Sequence, residues 1–352
     1  MLTKKQIKEI KEHLEKAQNP LFFFDSDPDG LCAFLLLQRF IGRGKGAIMK
    51  SSFESVSIYL SKIHELNADY IFLLDTAVVH KAFFEEVRKI NIPVVWIDHH
   101  LIEKSQIPSF VNYYNPRFNK EKGFEPTTCL CYQVSQKKED LWIALVGCLS
   151  DKFVPEFYSD FCRIYPDLVL SSKKKNLDAF DIIYGAPIGR ISQMFNAGLK
   201  DTTTNVVKML KFLMKVKSPY EVLEGSDKNA RMIERFEDID KKQKKLVKRA
   251  TNNVKLGDAF IIFKYEGETS LTGELANELS YKFPDKTILV IYIKGPKANI
   301  SMRGKDALKI ILKAIHGLKD ARGGGHDKAV GGQIKAEDIN KFTKRVKDLL
   351  DK

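Results

Sequence analysis

Three short apolar runs constrain this chain more than any other feature. Phe22-Phe23-Phe24, Tyr70-Ile71-Phe72-Leu73-Leu74 and Pro93-Val94-Val95-Trp96-Ile97 read as buried strands, and each runs straight into an acid: Asp25, Asp75 and Asp98. Helical patterns separate them, over 31–40, 55–65 and 80–89. Continuous apolar strands alternating with helices predict a parallel sheet covered on both faces. Ligands of such sheets collect at the carboxyl ends of the strands, and all three acidic positions fall there.

The first run carries the densest chemistry. Asp25-Ser26-Asp27-Pro28-Asp29-Gly30 places three carboxylates at alternate positions, with a glycine turn leading into the helix. Asp, Pro and Gly also build ordinary solvated turns. Carboxylates crowded at the end of a buried strand repel each other, however, and need a cation to offset them.

Around this core the pattern predicts a helix over 3–18 with a Thr3/Gln6 capping box, a strand over 47–53, a strand over 110–114 and helices over 127–136 and 141–150. Gly42, Gly44 and Gly46 read as a plain helix-to-strand connection. The helix 141–150 ends at Asp151, where the macrodipole disfavours an acid; a metal or the neighbouring Lys152 would offset it. Residues 170–224 are helical and lysine-rich, and 228–252 form a long helix whose charges make a solvated face. A second unit follows: strands over 258–264, 287–293, 298–303 and 329–335, with helices over 272–282 and 305–317. The expected class is α/β, a parallel-sheet domain (1–224) joined by a helical linker (225–255) to a smaller mixed α/β domain (256–352).

Composition narrows the functional classes. The 352 residues suffice for two cores. Lys and Arg number 58 against 45 Asp and Glu, a net charge of +13 that favours a polyanionic partner, unless it is only a basic surface without purpose. No run of about 18 apolar residues predicts a membrane span, and the charged N-terminus does not read as a signal peptide. Five cysteines at no framework spacing fit a reducing, cytoplasmic compartment. Cys129-x-Cys131 is too tight for a structural zinc site and reads as core packing.

The strand-end groups are Asp25, Asp27, Asp29, Asp75, Asp98, His99, His100 and Asp151. Carboxylates with imidazole suit Mn²⁺ or Mg²⁺, and no thiolate is placed to recruit zinc. So many acids suggest two divalent cations sharing a carboxylate, an arrangement suited to in-line displacement at phosphorus. In the second unit, Arg322-Gly323-Gly324-Gly325-His326 lets backbone N–H groups approach an anion closely.

With these residues in place, the chain resembles the DHH phosphoesterases, whose eponymous motif stands as Asp98-His99-His100. Asp25-x-Asp27-x-Asp29-Gly30, Asp75 and Gly147-x-x-x-Asp151 match further motifs in order. Ser301-Met302-Arg303 and Gly323-Gly324-Gly325-His326 match the DHH-associated domain. The resemblance implies one metal on Asp27 and Asp75 with Asp25 nearby, and another on Asp29, Asp75, His99 and Asp151. It implies that His100 faces the substrate phosphate, that Asp98 orients a histidine, and that Arg303, His326 and the glycines Gly323, Gly324 and Gly325 hold a phosphate or nucleotide. Phe23 stands where several small-substrate members carry histidine; the three-aspartate form is closer to RecJ-type nucleases, in which the extra aspartate takes that role. The expected activity is metal-dependent hydrolysis of single-stranded RNA or DNA, or short oligonucleotides, from an end. The alternatives are a small-nucleotide or dinucleotide phosphodiesterase, and a non-catalytic scaffold among replication or repair proteins.

Overall fold

The computed structural model describes residues 1–49, 56–171, 177–252, 254, 257 and 259–350. The chain divides into two compact units, Met1–Phe236 and Glu237–Lys352.

The first unit is built on a five-stranded, all-parallel sheet. Its chain order runs α1 (Lys4–Lys16), β1 (Pro20–Phe24), α2 (Pro28–Ile41), β2 (Lys45–Ile48), α3 (Val56–Glu65), β3 (Tyr70–Leu74), α4 (Lys81–Lys89), β4 (Val94–Ile97) and β5 (Val111–Tyr114). The spatial order is β2-β1-β3-β4-β5. Alternation along β1 sends Phe23 to one face, where it meets Tyr59 and Phe83 edge-on at 5.6 and 5.9 Å beneath α3 and α4. Phe22 and Phe24 point to the other face, and Phe24 stacks on Phe34 of α2 at 5.1 Å. Phe23 is therefore core, on the face opposite α2.

The aspartate segment departs from the expected turn. Asp27 is the N-cap of α2, Pro28 stands at its first position, and Asp29 and Gly30 are already helical. An acidic N-cap followed by proline starts a helix well. Gly30 is required there, because a Cβ would lie 2.8 Å from the backbone N and O of Asp25.

Further helices complete this unit and lead out of it: α5 (Thr127–Ser135), α6 (Leu141–Ser150), α7 (Tyr158–Ile164), α8 (Ala179–Gly185), α9 (Pro187–Leu199), α10 (Thr203–Leu213) and α11 (Pro219–Leu223). The long helix α12 (Ala230–Asn252) buries Met232, Phe236, Ile239, Val247 and Ala250 and leaves its lysines largely exposed, the amphipathic division expected of it. Cys129 and Cys131 are buried core residues. The strand expected over 47–53 occupies Lys45–Ile48; residues 50–53 lie outside the described residues, as do 55, 172–176, 253, 255, 256 and 258 near other expected boundaries.

The second unit is a mixed sheet: β6 (Phe260–Glu266), α13 (Thr272–Lys282), β7 (Thr287–Lys294), β8 (Lys297–Arg303), α14 (Ala307–Ile315), β9 (Arg322–His326), β10 (Ala329–Lys335) and α15 (Ile339–Leu350). Its order is β6-β7-β8-β10-β9, with β6 and β7 parallel and the remaining pairs antiparallel. Leu289, Ile291, Ile300 and Met302 pack one face onto α14 and α15. The glycine stretch, which local pattern assigns to no element, is the edge strand β9, and α15 was not anticipated. Gly323 carries no Cβ because one would meet Ile311 of α14 at 2.8 Å.

Candidate metal centre

The acids predicted from the first unit's strand ends converge at the carboxyl edge of its sheet. Asp75 follows β3 in a left-handed conformation, φ 57°, with its N–H donating to Ile97 O at 3.0 Å. Asp29 enters from the first turn of α2. Its two carboxylate oxygens accept the backbone N–H groups of Thr127 and Thr128 at 2.9 and 2.8 Å. These are the opening amides of α5, which Pro126 leaves without a side-chain cap. A carboxylate in that place satisfies orphan donors and faces the positive end of the helix. Thr127 Oγ1 also donates to Asp75 Oδ1 at 3.1 Å, tying the two acids together.

Asp151 caps the C-terminus of α6, where its Oδ2 lies 3.2 Å from His99 Nε2; the same nitrogen is 3.4 Å from Asp75 Oδ1 and 3.9 Å from Asp29 Oδ2. Lys152 directs its ammonium over the Phe180 ring, 4.9 Å from the centroid. Gly147 sets the position of α6: a Cβ there would sit 2.3 Å from Thr128 Oγ1 and 2.7 Å from Cys32 Cβ. The small residue four before Asp151 thus lets α6 close on α2 and α5.

Asp98 is fully buried at the end of β4. Its Oδ1 lies 2.8 Å from His100 Nδ1, and since an ionised carboxylate only accepts, Nδ1 donates. Asp98 Oδ2 accepts from Tyr113 Oη at 3.2 Å. Asn115 Nδ2 donates to His100 O at 2.8 Å, and Arg117 Nε donates to His99 O. The two histidines are therefore held by their backbone as well as by Asp98.

The electrostatics separate these acids into two kinds. Burial would raise the Asp98 carboxyl, but the hydrogen bond and charge of His100 outweigh it and bring it below the usual range. Burial likewise opposes protonation of His100, and Asp98 outweighs it, lifting His100 to about 9. Asp98 and His100 form an ion pair, with His100 Nδ1 also 3.9 Å from Asp75 Oδ1. The other acids are dominated by burial and by one another. Burial and the charge of Asp27 push Asp25 up to about 7. Burial with Asp151 raises Asp27, burial with Asp75 and Asp151 raises Asp29, and burial with Asp27 and Asp151 raises Asp75.

This donor set fits a divalent cation. Among the described residues, Asp29, Asp75 and His99 present one donor atom each within 4.8 Å of one another, and Asp75, Asp98 and His100 do the same. Oxygen-rich donors with one imidazole, mutually repelling and buried, match a hard or borderline ion. Asp25, Asp27 and Asp151 belong to the same cluster by their mutual charge effects.

The family models agree in extent and order. The model for the DHH family N-terminal domain matches residues 21–149, and that for the DHHA1 domain matches residues 256–352. The chain belongs to the DHH family. RecJ in complex with Mn²⁺ from Thermus thermophilus shares this DHH fold at a TM-score of 0.69 and 16% identity, over 98% of this chain and 54% of that one. The chain thus spans about half the length of that RecJ. An exonuclease RecJ bound to manganese superposes at 0.63 and 16% identity, over 98% and 94% of the two chains. The DHH domain of a member of a ribosomal protein family gives 0.69 and 15%, over 99% and 92%. No curated protein matches the chain significantly in sequence. Among the described residues, no helix is long and apolar enough to cross a membrane.

The remaining predicted residues lie in the second unit. Arg303 ends β8, donating from Nε to Asn277 Oδ1 at 2.6 Å and from Nη1 to Met302 O at 2.9 Å. His326 ends β9, and Gly324 and Gly325 are exposed beside it. Residue patterns alone did not single out Thr127, Thr128, Tyr113 or Arg117, and read Asn115-Pro116 only as a turn. Pro126-Thr127-Thr128 is a legible helix start, and such a start is an anion seat; which carboxylate fills it is decided by tertiary packing.

Proposed function

We propose that this DHH protein is a two-metal phosphodiesterase that degrades single-stranded nucleic acid or short oligonucleotides from an end. The observation that carries the reading is the cluster of buried, mutually repelling acids, set beside an Asp98–His100 pair that is already neutralised. Mn²⁺ or Mg²⁺ on Asp25, Asp27, Asp29, Asp75, His99 and Asp151, with Asp75 shared, would supply Lewis-acid activation of water and of the phosphate.

The chain's own groups do the rest. The N-terminal amides of α5 favour the ionised form of Asp29 and fix it in place. Asp98 holds Nδ1–H of His100, so the imidazole is locked in one orientation and carries a proton at neutral pH. The Nε2–H of that imidazolium serves a phosphate oxygen or the departing hydroxyl. Residues 1–224 carry the chemistry, 225–255 link, and 256–352 hold substrate through Arg303, His326 and the backbone of Gly323, Gly324 and Gly325. The +13 charge supports a polyanionic substrate. Five free cysteines agree with a cytoplasmic setting. The test is hydrolysis of an end-labelled length series, from dinucleotide to about a 20-mer, in ribo and deoxyribo form with Mn²⁺. Stepwise shortening of the oligomers is expected. No product from either sugar type would overturn the reading.

A further inference from the structure

The second unit's sheet packs one face on α14 and α15; its other face is buried and apolar at β6 and β7, through Ile261, Phe263, Ile288 and Val290, and turns polar only across β8, β10 and β9. The pairing registers place residues of that polar part in rows across three strands. Arg303, Ala329 and His326 form one row, and Ser301, Gly331 and Gly324 the next. Asn299, Gln333 and Arg322 form the third. Rows on one face lie about 6.6 Å apart along the strands, so the outer two are about 13 Å apart.

The middle row is almost bare. A Cβ on Gly324 would meet nothing within 4 Å, and one on Gly331 only Ile300 O at 4.0 Å. Two paired glycines thus open a shallow trough between two polar rows. The third row is a ladder of side chains: Arg322 Nη2 donates to Gln333 Oε1 at 3.0 Å, Gln333 Nε2 to Asn299 Oδ1 at 2.9 Å, and Asn299 Nδ2 to Ser270 Oγ at 3.4 Å. These bonds orient both amides and use one N–H of each, so each amide keeps a second N–H and a second oxygen lone pair. A fixed donor beside a fixed acceptor is what reads the edge of a base.

We propose that this trough seats one nucleotide, with its phosphate toward Arg303 and His326 and its base edge on the Asn299–Gln333 ladder. The proposal rests on the hydrolytic reading above and adds that the second unit recognises the base as well as the phosphate. The glycine backbone admits the flat ring, the amides fix its edge, and recognition extends one nucleotide along the strands.

The experiment uses the full chain with metal removed by chelation, so that the uncompensated acids of the first unit repel anions. Titration calorimetry with AMP, GMP, CMP and UMP is compared with ribose 5-phosphate, which lacks a base. At least one nucleotide is expected to bind about tenfold more tightly than ribose 5-phosphate, and Gln333→Met to abolish that gap. Gly324→Ala, whose Cβ has room in the fold, is expected to keep the wild-type melting temperature while weakening nucleotide binding roughly tenfold. Equal affinity with and without a base, no binding of any of these ligands, a gap that survives Gln333→Met, or wild-type affinity in Gly324→Ala would each overturn the proposal. Oligonucleotide hydrolysis with Mn²⁺ is measured in parallel. Nucleotide binding without hydrolysis would leave the trough and remove the hydrolytic reading. Hydrolysis without base preference would do the reverse.

Discussion

At the scale of the residue, two aspartates at neighbouring strand ends illustrate how surroundings divide like groups. Asp98 and Asp75 are both buried and both follow an apolar strand. Asp98 has His100 at 2.8 Å and titrates low, whereas Asp75 faces other acids and titrates high. Asp75→Asn removes the charge, keeps the size, and suits the left-handed backbone that Asn tolerates. Without metal this variant is expected to melt roughly 2–4 °C above wild type, since one repelling charge is gone. With Mn²⁺ it should show neither the stabilisation that wild type gains nor hydrolysis. Calorimetry and a turnover assay check both, and retained turnover would exclude Asp75 as a shared ligand.

At the scale of the element, the position of the centre depends on how α5 and α6 close on α2. The start of α5 seats Asp29, and the end of α6 delivers Asp151. Gly147 is where these helices meet, since a side chain there has 2.3 Å to Thr128 Oγ1. Gly147→Ala is expected to cost about 1–3 kcal/mol through overpacking. It should also weaken Mn²⁺ binding, because α6 must move away from Asp29 and take Asp151 with it. Urea unfolding and a Mn²⁺ titration separate the two effects. A stability loss with unchanged Mn²⁺ affinity would show that Asp151 is not held by this contact.

At the scale of the molecule, the uncompensated acids make stability depend on pH. Asp25 rises from 3.8 to about 7 on folding, and Asp27, Asp29 and Asp75 move the same way. Raised carboxyls bind more protons folded than unfolded, so their ionisation destabilises the metal-free protein as pH climbs from about 4 through about 7. His100, lifted from 6.5 to about 9, contributes stability below 6.5 that is lost as pH passes 9. Both act in one direction. The Mn²⁺-induced rise in melting temperature is expected to be larger at pH 8 than at pH 5.5; equal rises would mean that the metal does not offset these charges. The +13 charge bears on substrate length. Between 50 and 200 mM salt, KM for a decamer is expected to rise roughly tenfold or more, and for a dinucleotide less than about threefold. A flat decamer response would favour the small-nucleotide alternative.

The sequence by itself determined the parallel sheet, the strand-end acids and the mixed second unit. Apolar runs that alternate with helices admit few other solutions, and a strand's last residue stands at the sheet's edge wherever the strand lies. It also determined that Phe23 could not serve as a ligand. The family resemblance implied that Asp98 orients a histidine; the tertiary structure decided that it is His100 and how the other acids crowd one another. Asp98 and Asp75 both end apolar strands, and packing separates them: Asp98 is bonded by His100 and Tyr113, whereas Asp75 is crowded by Asp27 and Asp151. It alone assigned Thr127 and Thr128 to Asp29, across 98 and 99 residues. It made the glycine segment, which local pattern left unassigned, into the edge strand β9, because paired registers with β10 satisfy its backbone. Local pattern is set by neighbours along the chain; the state of a charge is set by what packing brings within a few ångströms of it.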